Sequence, residues 1–309
     1  MITEPMDVLK RYEIRKSKKQ KQQFRDAAQA YFQNLGYPVN IEKGSLGAHN
    51  VVIGDTSTAK YLVTAHYDTC ARMPIPNFIT PRSCWGFIGY QLLTTLVLLL
   101  PDLLVYGIVY WITHNVQIAF ICWYVLLIAE IVLLTAGPAN PHTANDNTSG
   151  VVAVMQLAQT LPEDKRRDYA FVLFDLEESG LIGSSSYRKK HRKESSQQII
   201  LNLDCIGDGD EIWLFPSKKV RKDPHKMDLI KSMSGQHGQK DVFVHERGFS
   251  VYPSDQANFP YGVGICALKK TRRGLLYMDK IHTKHDTMLD INNVNILCQR
   301  LAQLDEKAV

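Results

Sequence analysis

The hydrophobic pattern divides this chain into two unlike parts. From Trp85 to Ala136 it reads WGFIGYQLLTTLVLLLPDLLVYGIVYWITHNVQIAFICWYVLLIAEIVLLTA, with Asp102 and Glu130 as its formal charges. A membrane-crossing helix needs about 20 apolar residues, and this stretch has room for two. A run this long and this poor in charge exceeds what one soluble core covers, which disfavours the alternative of a buried core hairpin. Helices of about 25 and 20 residues are expected, with a tip near Thr113–His114–Asn115 and a kink at Pro101. A tip at Pro101–Asp102 would leave a first span of about 15 residues, short for a crossing. A mid-membrane aspartate costs about 2.5–3.5 kcal/mol, so Asp102 is expected to face the second helix or a water defect.

The remainder alternates strand and helix patterns. Residues from about Lys10 to Leu35 predict one helix, ending in a Gly36 C-cap. Its first half is densely basic, either a solvated face or a contact with anionic lipid headgroups, and the apolar hairpin favours the second. Asn50–Gly54 and Lys60–Thr69 are strand-like and are separated by turn residues. Ala139–Gly150 is loop chemistry, followed by a helix over Val151–Thr160. Tyr169–Phe174 and Ile199–Leu203 are continuous apolar runs, the mark of strands buried on both faces. A helix-like stretch runs through Tyr187, Glu211–Phe215 and Gly264–Leu268 are further strands, and Ile291–Leu304 is a closing helix. The alternation predicts an α/β fold, with a mixed, mostly parallel central sheet flanked by helices. That domain comes in two pieces, 1–84 and 137–309, interrupted by a two-helix transmembrane insertion at 85–136.

At 309 residues and 45% hydrophobic, the chain is large enough for one well-buried domain with an appendage, and it is neither a disordered nor a collagen-like chain nor a disulfide scaffold. The net charge of +5 is too mild to argue for a nucleic-acid partner. The opening MITEPMDVLKRYEIRKSKKQ has no apolar segment of a secretory signal. Six cysteines without a Cys-x-x-Cys pair are expected to be ordinary reduced thiols, neither disulfides nor a thiolate metal site. The hairpin tip carries no Lys or Arg, whereas Arg72, Arg82 and the Lys10–Arg25 cluster lie on the domain side. The positive-inside rule then predicts a membrane protein with two spans and a cytoplasmic catalytic domain.

Three predicted buried strands end in imidazole or carboxylate residues. KYLVTAHYDT carries His66 and Asp68, YAFVLFDLEESG carries Glu177 and Glu178, and IILNLDCIGDGD carries Asp204. Ligands of open α/β sheets bind beyond the carboxyl ends of the strands, so these groups are expected to converge. Two loops add Asp146 in NDNTSG and His282 in KIHTKHDT. Taken singly, each has a bland reading: turn chemistry for Asp146, a helix start for Glu177–Glu178, a hydrogen-bonded strand end for His66. Together, a His/Asp/Glu set without cysteine suits a catalytic zinc or related divalent centre. A metal would also neutralise the gathered carboxylates.

The pieces VTAHYDT, NDNTSGVVAVMQLA, FVLFDLEESGLIGSSSY, LNLDCIGDGD, SDQANF and IHTKHDT resemble, in order, family twenty-eight of the metallopeptidases, the co-catalytic dizinc aminopeptidases related to bacterial leucyl aminopeptidase. They cover most of the chain outside the apolar insertion. The resemblance implies a zinc-exopeptidase fold and two divalent metal ions, zinc foremost. His66 and Asp204 would hold one ion, Glu178 and His282 the other, and Asp146 would bridge them. Glu177 would be the general base, and Asp68 would hold the His66 imidazole in a carboxylate–histidine–metal arrangement. The family also carries a cis peptide after the bridging aspartate, here Asp146–Asn147. His285 lies three residues past His282; His282 is preferred because it holds the His-Thr position ahead of Asp286–Thr287. Two metals sharing a water lower its pKa, and Glu177 would take its proton and return it to the leaving amine of a peptide substrate.

Asp68 and Asp146 are 78 positions apart, and the hairpin fills most of that interval, so it should spring from the rim of the site. The bilayer then becomes a partner, and substrates are expected to come from the membrane surface. Two other functions compete. A glutaminyl-cyclase-like acyltransferase would share the fold and use one zinc. A non-catalytic membrane scaffold would be expected to lack ligands or base, and all seven positions are filled here.

Overall fold

A computed structural model describes residues 1–75, 77–237 and 240–304. The strands are β1 (Val39–Lys43), β2 (His49–Ile53), β3 (Tyr61–His66), β4 (Tyr169–Phe174), β5 (Ile199–Leu203), β6 (Glu211–Pro216), β7 (Gly235–His237), β8 (Lys240–Val244), β9 (Gly262–Lys270) and β10 (Leu276–Tyr277). The helices are α1 (Asp7–Tyr12), α2 (Lys18–Asn34), α3 (Cys84–Thr113), α4 (Val116–Ala136), α5 (Gly150–Thr160), α6 (Ile182–Lys190), α7 (Lys218–Lys222), α8 (Pro224–Lys231) and α9 (Ile291–Ala302). One sheet runs β1-β2-β4-β3-β5-β9-β6-β8-β7, with β10 paired to β9. Its centre, β4-β3-β5-β9, is parallel. Its flanks turn antiparallel where β2 joins β4 and β6 joins β9. The expected mixed α/β sheet is therefore present, and parallel where the site lies.

Every residue of β3, β4 and β5 is buried, because apolar clusters cover both faces of these strands. Alternate side chains divide between those faces. Tyr61, Val63 and Ala65 of β3, with Tyr169, Phe171 and Leu173 of β4, join the main core with side chains of α2, α5 and α9. Leu62, Ala170, Val172 and Phe174 join a smaller cluster with Tyr187 of α6. Each such side chain contributes about 1.5–3 kcal/mol on burial. In the edge strand β1 (VNIEK) only Glu42 is buried, so it carries no apolar run and its sequence pattern does not reveal it.

The single helix expected over Lys10–Leu35 is broken in two. Ser17 opens α2 with a capping box to Gln20, which satisfies N-terminal amides locally. Between the helices, Arg15 is fully buried. Its guanidinium donates to the carbonyls of Tyr12, Glu13 and Tyr67 and to Thr148 Oγ1. Lys21 is also buried and pairs with Asp175 at 2.7 Å. Arg15, Lys21 and Arg25 of the basic cluster therefore serve the interior, while Lys18 and Lys19 remain exposed. Gly36 ends the segment at φ +86, in the left-handed region its role as a C-cap requires.

The chain leaves the sheet beyond β3 and forms α3 and α4, of 30 and 21 residues. The tip is at His114–Asn115, where the Asn115 side chain accepts from the amides of Gln117 and Ile118. In each helix only 6% of the most apolar window is buried, so this is no core hairpin. α3 runs through Pro101 as one helix. Asp102 and Ala119 are the residues of α3 and α4 that are fully buried, so Asp102 turns inward toward α4. Both Asp102 carboxylate oxygens lack a hydrogen-bond partner among the described residues. The base of the hairpin is stitched to the domain by an Ala71–Ala139 bridge, by Arg72 N to Pro138 O at 2.9 Å and by Lys16 Nζ to Thr135 O at 2.8 Å.

Candidate metal centre and active site

Register brings the strand-end residues together. His66 lies opposite Phe174 in the parallel β3–β4 pair, so the loop carrying Glu177 and Glu178 leaves the same sheet edge as Asp68. β5 runs parallel on the other side of β3 and delivers Asp204. The loop before α5 brings Asp146, and the loop after β10 brings His282. All seven residues read from the sequence meet at this edge, as strand-end binding in open sheets requires.

Asp146 is the centre of the arrangement. Its Oδ1 lies 3.2 Å from His66 Nε2, which is itself 3.6 Å from Asp204 Oδ1. Its Oδ2 lies 3.0 Å from His282 Nε2, which is 3.3 Å from Glu178 Oε2. The two oxygens of one carboxylate thus face two different donor sets. The Asp146–Asn147 peptide is cis. The loop is pinned at several points. Asp286 accepts from the amides of Asn145 at 2.8 Å and Asp146 at 2.9 Å. Asn145 Oδ1 accepts from Gly207 N at 2.7 Å. Asn147 Nδ2 donates to Leu203 O at 2.9 Å.

Asp68 differs in detail from its expected role. His66 Nδ1 bonds to the main-chain carbonyl of Asp68 at 3.1 Å, and the nearest carboxylate oxygen is 3.7 Å away. The carboxylate instead accepts from Glu177 N at 3.0 Å and Glu178 N at 3.3 Å. One residue thus orients the imidazole through its backbone and the two glutamates through its side chain. Beyond His66 the chain still follows β4, with Tyr67 N donating to Phe174 O at 2.9 Å, and the resulting division of contacts is invisible to a two-residue spacing. On His282, Nδ1 faces the Met73 thioether at 3.3 Å.

Electrostatics report a site short of positive charge. Burial, then Glu178, Asp255 and Asp204, pushes Glu177 well above the usual carboxylate range. Burial likewise lifts Glu178 to about 7 and, with Asp146, Asp286 to about 8. Burial opposes protonation of His66 and His282, but the surrounding carboxylates prevail. Glu177, Asp146 and Asp204 raise His66 well above its ordinary value, and Glu178 and Asp146 raise His282 to about 9. Burial works against ionised Asp146, yet hydrogen bonds from His282 and His66 hold it below the usual range. Glu178 Oε1 and Asp204 Oδ1 are buried without a hydrogen-bond partner among the described residues. Unpaired buried acceptors and raised proton affinities are what bound cations relieve, so the donor set fits divalent metal ions. Donor atoms of His66, Glu177 and Asp204 lie within 4.8 Å of one another, as do those of His66, Asp146 and Glu178.

A cavity of about 230 Å³ opens on the site, lined by Glu178, His282, Cys70 and Lys16, and by Leu134 and Thr135 from the end of α4. The hairpin therefore does spring from the rim. His285 lines a separate outer groove with Arg72, Lys280 and Lys284, away from the donor sets. Asp286, Asn145 and Arg15 were not read as site residues in the sequence, because each acts on the backbone of a segment far from it along the chain.

The sequence profile of peptidase family M28 matches residues 130–301. Aminopeptidase YwaD of Bacillus subtilis (strain 168) is 31% identical over 159 residues, 43% of this chain and 32% of that protein. The match thus spans about a third of the length of that curated relative. The Legionella pneumophila LapA aminopeptidase shares the fold with a TM-score of 0.57 at 15% identity, over 98% of this chain and 70% of its own. Porphyromonas gingivalis glutaminyl cyclase shares it with a TM-score of 0.57 at 14% identity, over 99% of this chain and 97% of its own.

Proposed function

The chain belongs to peptidase family M28, and from that premise we propose that it is a membrane-anchored dizinc aminopeptidase that releases N-terminal residues from peptides. The observation that carries this reading is the division of Asp146 between two donor sets. His66 and Asp204 would hold one ion, Glu178 and His282 the other, with Asp146 shared. When bound, such a pair polarises the scissile carbonyl and lowers the pKa of water. Glu177 is the proton carrier: its carboxylate accepts a proton from the attacking water and passes it to the leaving amine. Burial and its acidic neighbours raise its proton affinity, as a base working near neutral pH needs. Asp68 positions Glu177 by holding its amide. The two donor sets favour this reading over a one-zinc acyltransferase of the same fold.

Anchoring is part of the proposal. α3 and α4 turn apolar side chains outward along their length, and Leu134 and Thr135 bring the domain-side end of α4 to the cavity. Peptides presented at the membrane surface are the substrates this geometry suits. Purified full-length protein in detergent should hydrolyse an unblocked aminoacyl chromogenic substrate, stop in chelator, and recover with added zinc. Undiminished activity in chelator, or a strict preference for N-blocked substrates, would overturn the reading.

A further inference from the structure

The two donor sets are not equivalent once sulfur is considered. Cys70 is 5% exposed, and its Sγ lies within 4.8 Å of a Glu178 carboxylate oxygen and a His282 ring nitrogen, all three atoms mutually close. It lines the cavity beside those two residues. The base of the hairpin fixes its place: Asn140 N donates to Cys70 O at 3.2 Å, and the next residue, Ala71, bridges to Ala139. A second thiol, Cys205, approaches Asp146 and Asp204. That one hydrogen-bonds to the Asp204 carboxylate and stands beside Asp204, whereas Cys70 stands beside the Glu178–His282 pair.

We propose that Cys70 supplies a thiolate as a fourth protein ligand to the ion held by Glu178, His282 and Asp146. This rests on the two-metal reading above and extends it. Around a tetrahedral zinc, ligand atoms at about 2.0–2.3 Å from the ion lie roughly 3.2–3.6 Å apart, a spacing that three atoms within 4.8 Å of one another reach by closing on a shared ion. On ligation the S–H bond breaks, the metal–sulfur bond forms and the proton leaves to solvent. The consequence is a division of labour. Cys70 gives the Glu178–His282 position four protein ligands against three from His66, Asp204 and Asp146 at the other, so the second keeps the more open place for water while the first meets substrate only by expanding to five ligands. Glu177 stands within the same 4.8 Å group as His66 and Asp204, so the base lies beside the open position. A thiolate also biases the four-ligand position toward zinc or cobalt and away from manganese or magnesium.

Cobalt alone is the probe, loaded to two per chain into the full-length protein in detergent. The wild type should show a near-ultraviolet thiolate-to-cobalt charge-transfer band. Cys70→Ser and Cys70→Ala should lose that band and bind one of the two cobalt ions roughly 10–100-fold more weakly, the scale on which ligand-shell changes act. Cys205→Ala should keep the band. Zinc-loaded protein should show a sulfur shell at about 2.3 Å by X-ray absorption. Two bound cobalt ions with no band, or a band that survives Cys70→Ala, would overturn the inference and leave the two-metal reading standing. A wild type that binds no cobalt would fail both.

Discussion

Glu177 and Glu178 are adjacent, both carboxylates, and assigned opposite duties. Glu178 has one oxygen 3.3 Å from His282 Nε2 and the other buried without a partner, which suits a ligand. Glu177 approaches His66 and Asp204 and has its amide fixed by Asp68, which suits a base. Glu177→Gln should therefore retain both metals and lose turnover by about 10²–10⁴-fold, the usual contribution of a general base. Glu178→Gln should lose metal from one position. Metal analysis beside kcat separates the two, and near wild-type kcat in metal-replete Glu177→Gln would refute the assignment. The same scale shows why residue type alone is a coarse guide. Asp68 was legible as a neighbour of His66, but the division between its carbonyl and its carboxylate arises because the loop after β4 brings the amides of Glu177 and Glu178 to its side chain.

At the scale of elements, periodicity is a faithful reporter where burial is two-sided or absent. β4 and β5 span the apolar runs Tyr169–Phe174 and Ile199–Leu203, and α3 and α4 span the run of low charge. It misleads where one residue breaks the pattern, as Arg15 does between α1 and α2. Within the hairpin, Asp102 is the conspicuous element-level feature, buried with both oxygens unpartnered. A polar group in that state costs stability, and an apolar side chain of similar size removes the cost. Asp102→Leu should thus raise the thermal midpoint in detergent and leave hydrolysis of a soluble aminoacyl substrate unchanged. A lower midpoint would mean that Asp102 has a stabilising partner in the folded protein.

At the scale of the whole molecule, the two chain pieces around the hairpin must form one domain, because His66 and Asp146 stand 3.2 Å apart. On the proposed anchoring, the hairpin would cross a bilayer an even number of times, and its two helices would place the tip opposite the domain. Arg72 and Arg82 flank the base while the His114–Asn115 tip lacks Lys and Arg, which favours a cytoplasmic domain. In intact cells, a membrane-impermeant thiol reagent should label Asn115→Cys and spare Lys193→Cys, both at exposed positions. The reverse pattern would overturn the orientation, and protein that stays in solution without detergent would overturn the spans.

By itself, the amino-acid order determined the architecture in outline and named the candidate residues. Apolar runs and strand-end acids depend on local burial and on the direction of the chain, and both are written in neighbouring residues. Tertiary structure decided what depends on partners far along the chain. It set which Asp146 oxygen faces which histidine, which carboxylate holds the Asp146 loop, where Arg15 goes, and which of the six thiols stand at the site. Those outcomes follow from sheet register and loop closure, which join residues dozens to hundreds of positions apart. No spacing motif encodes such distances.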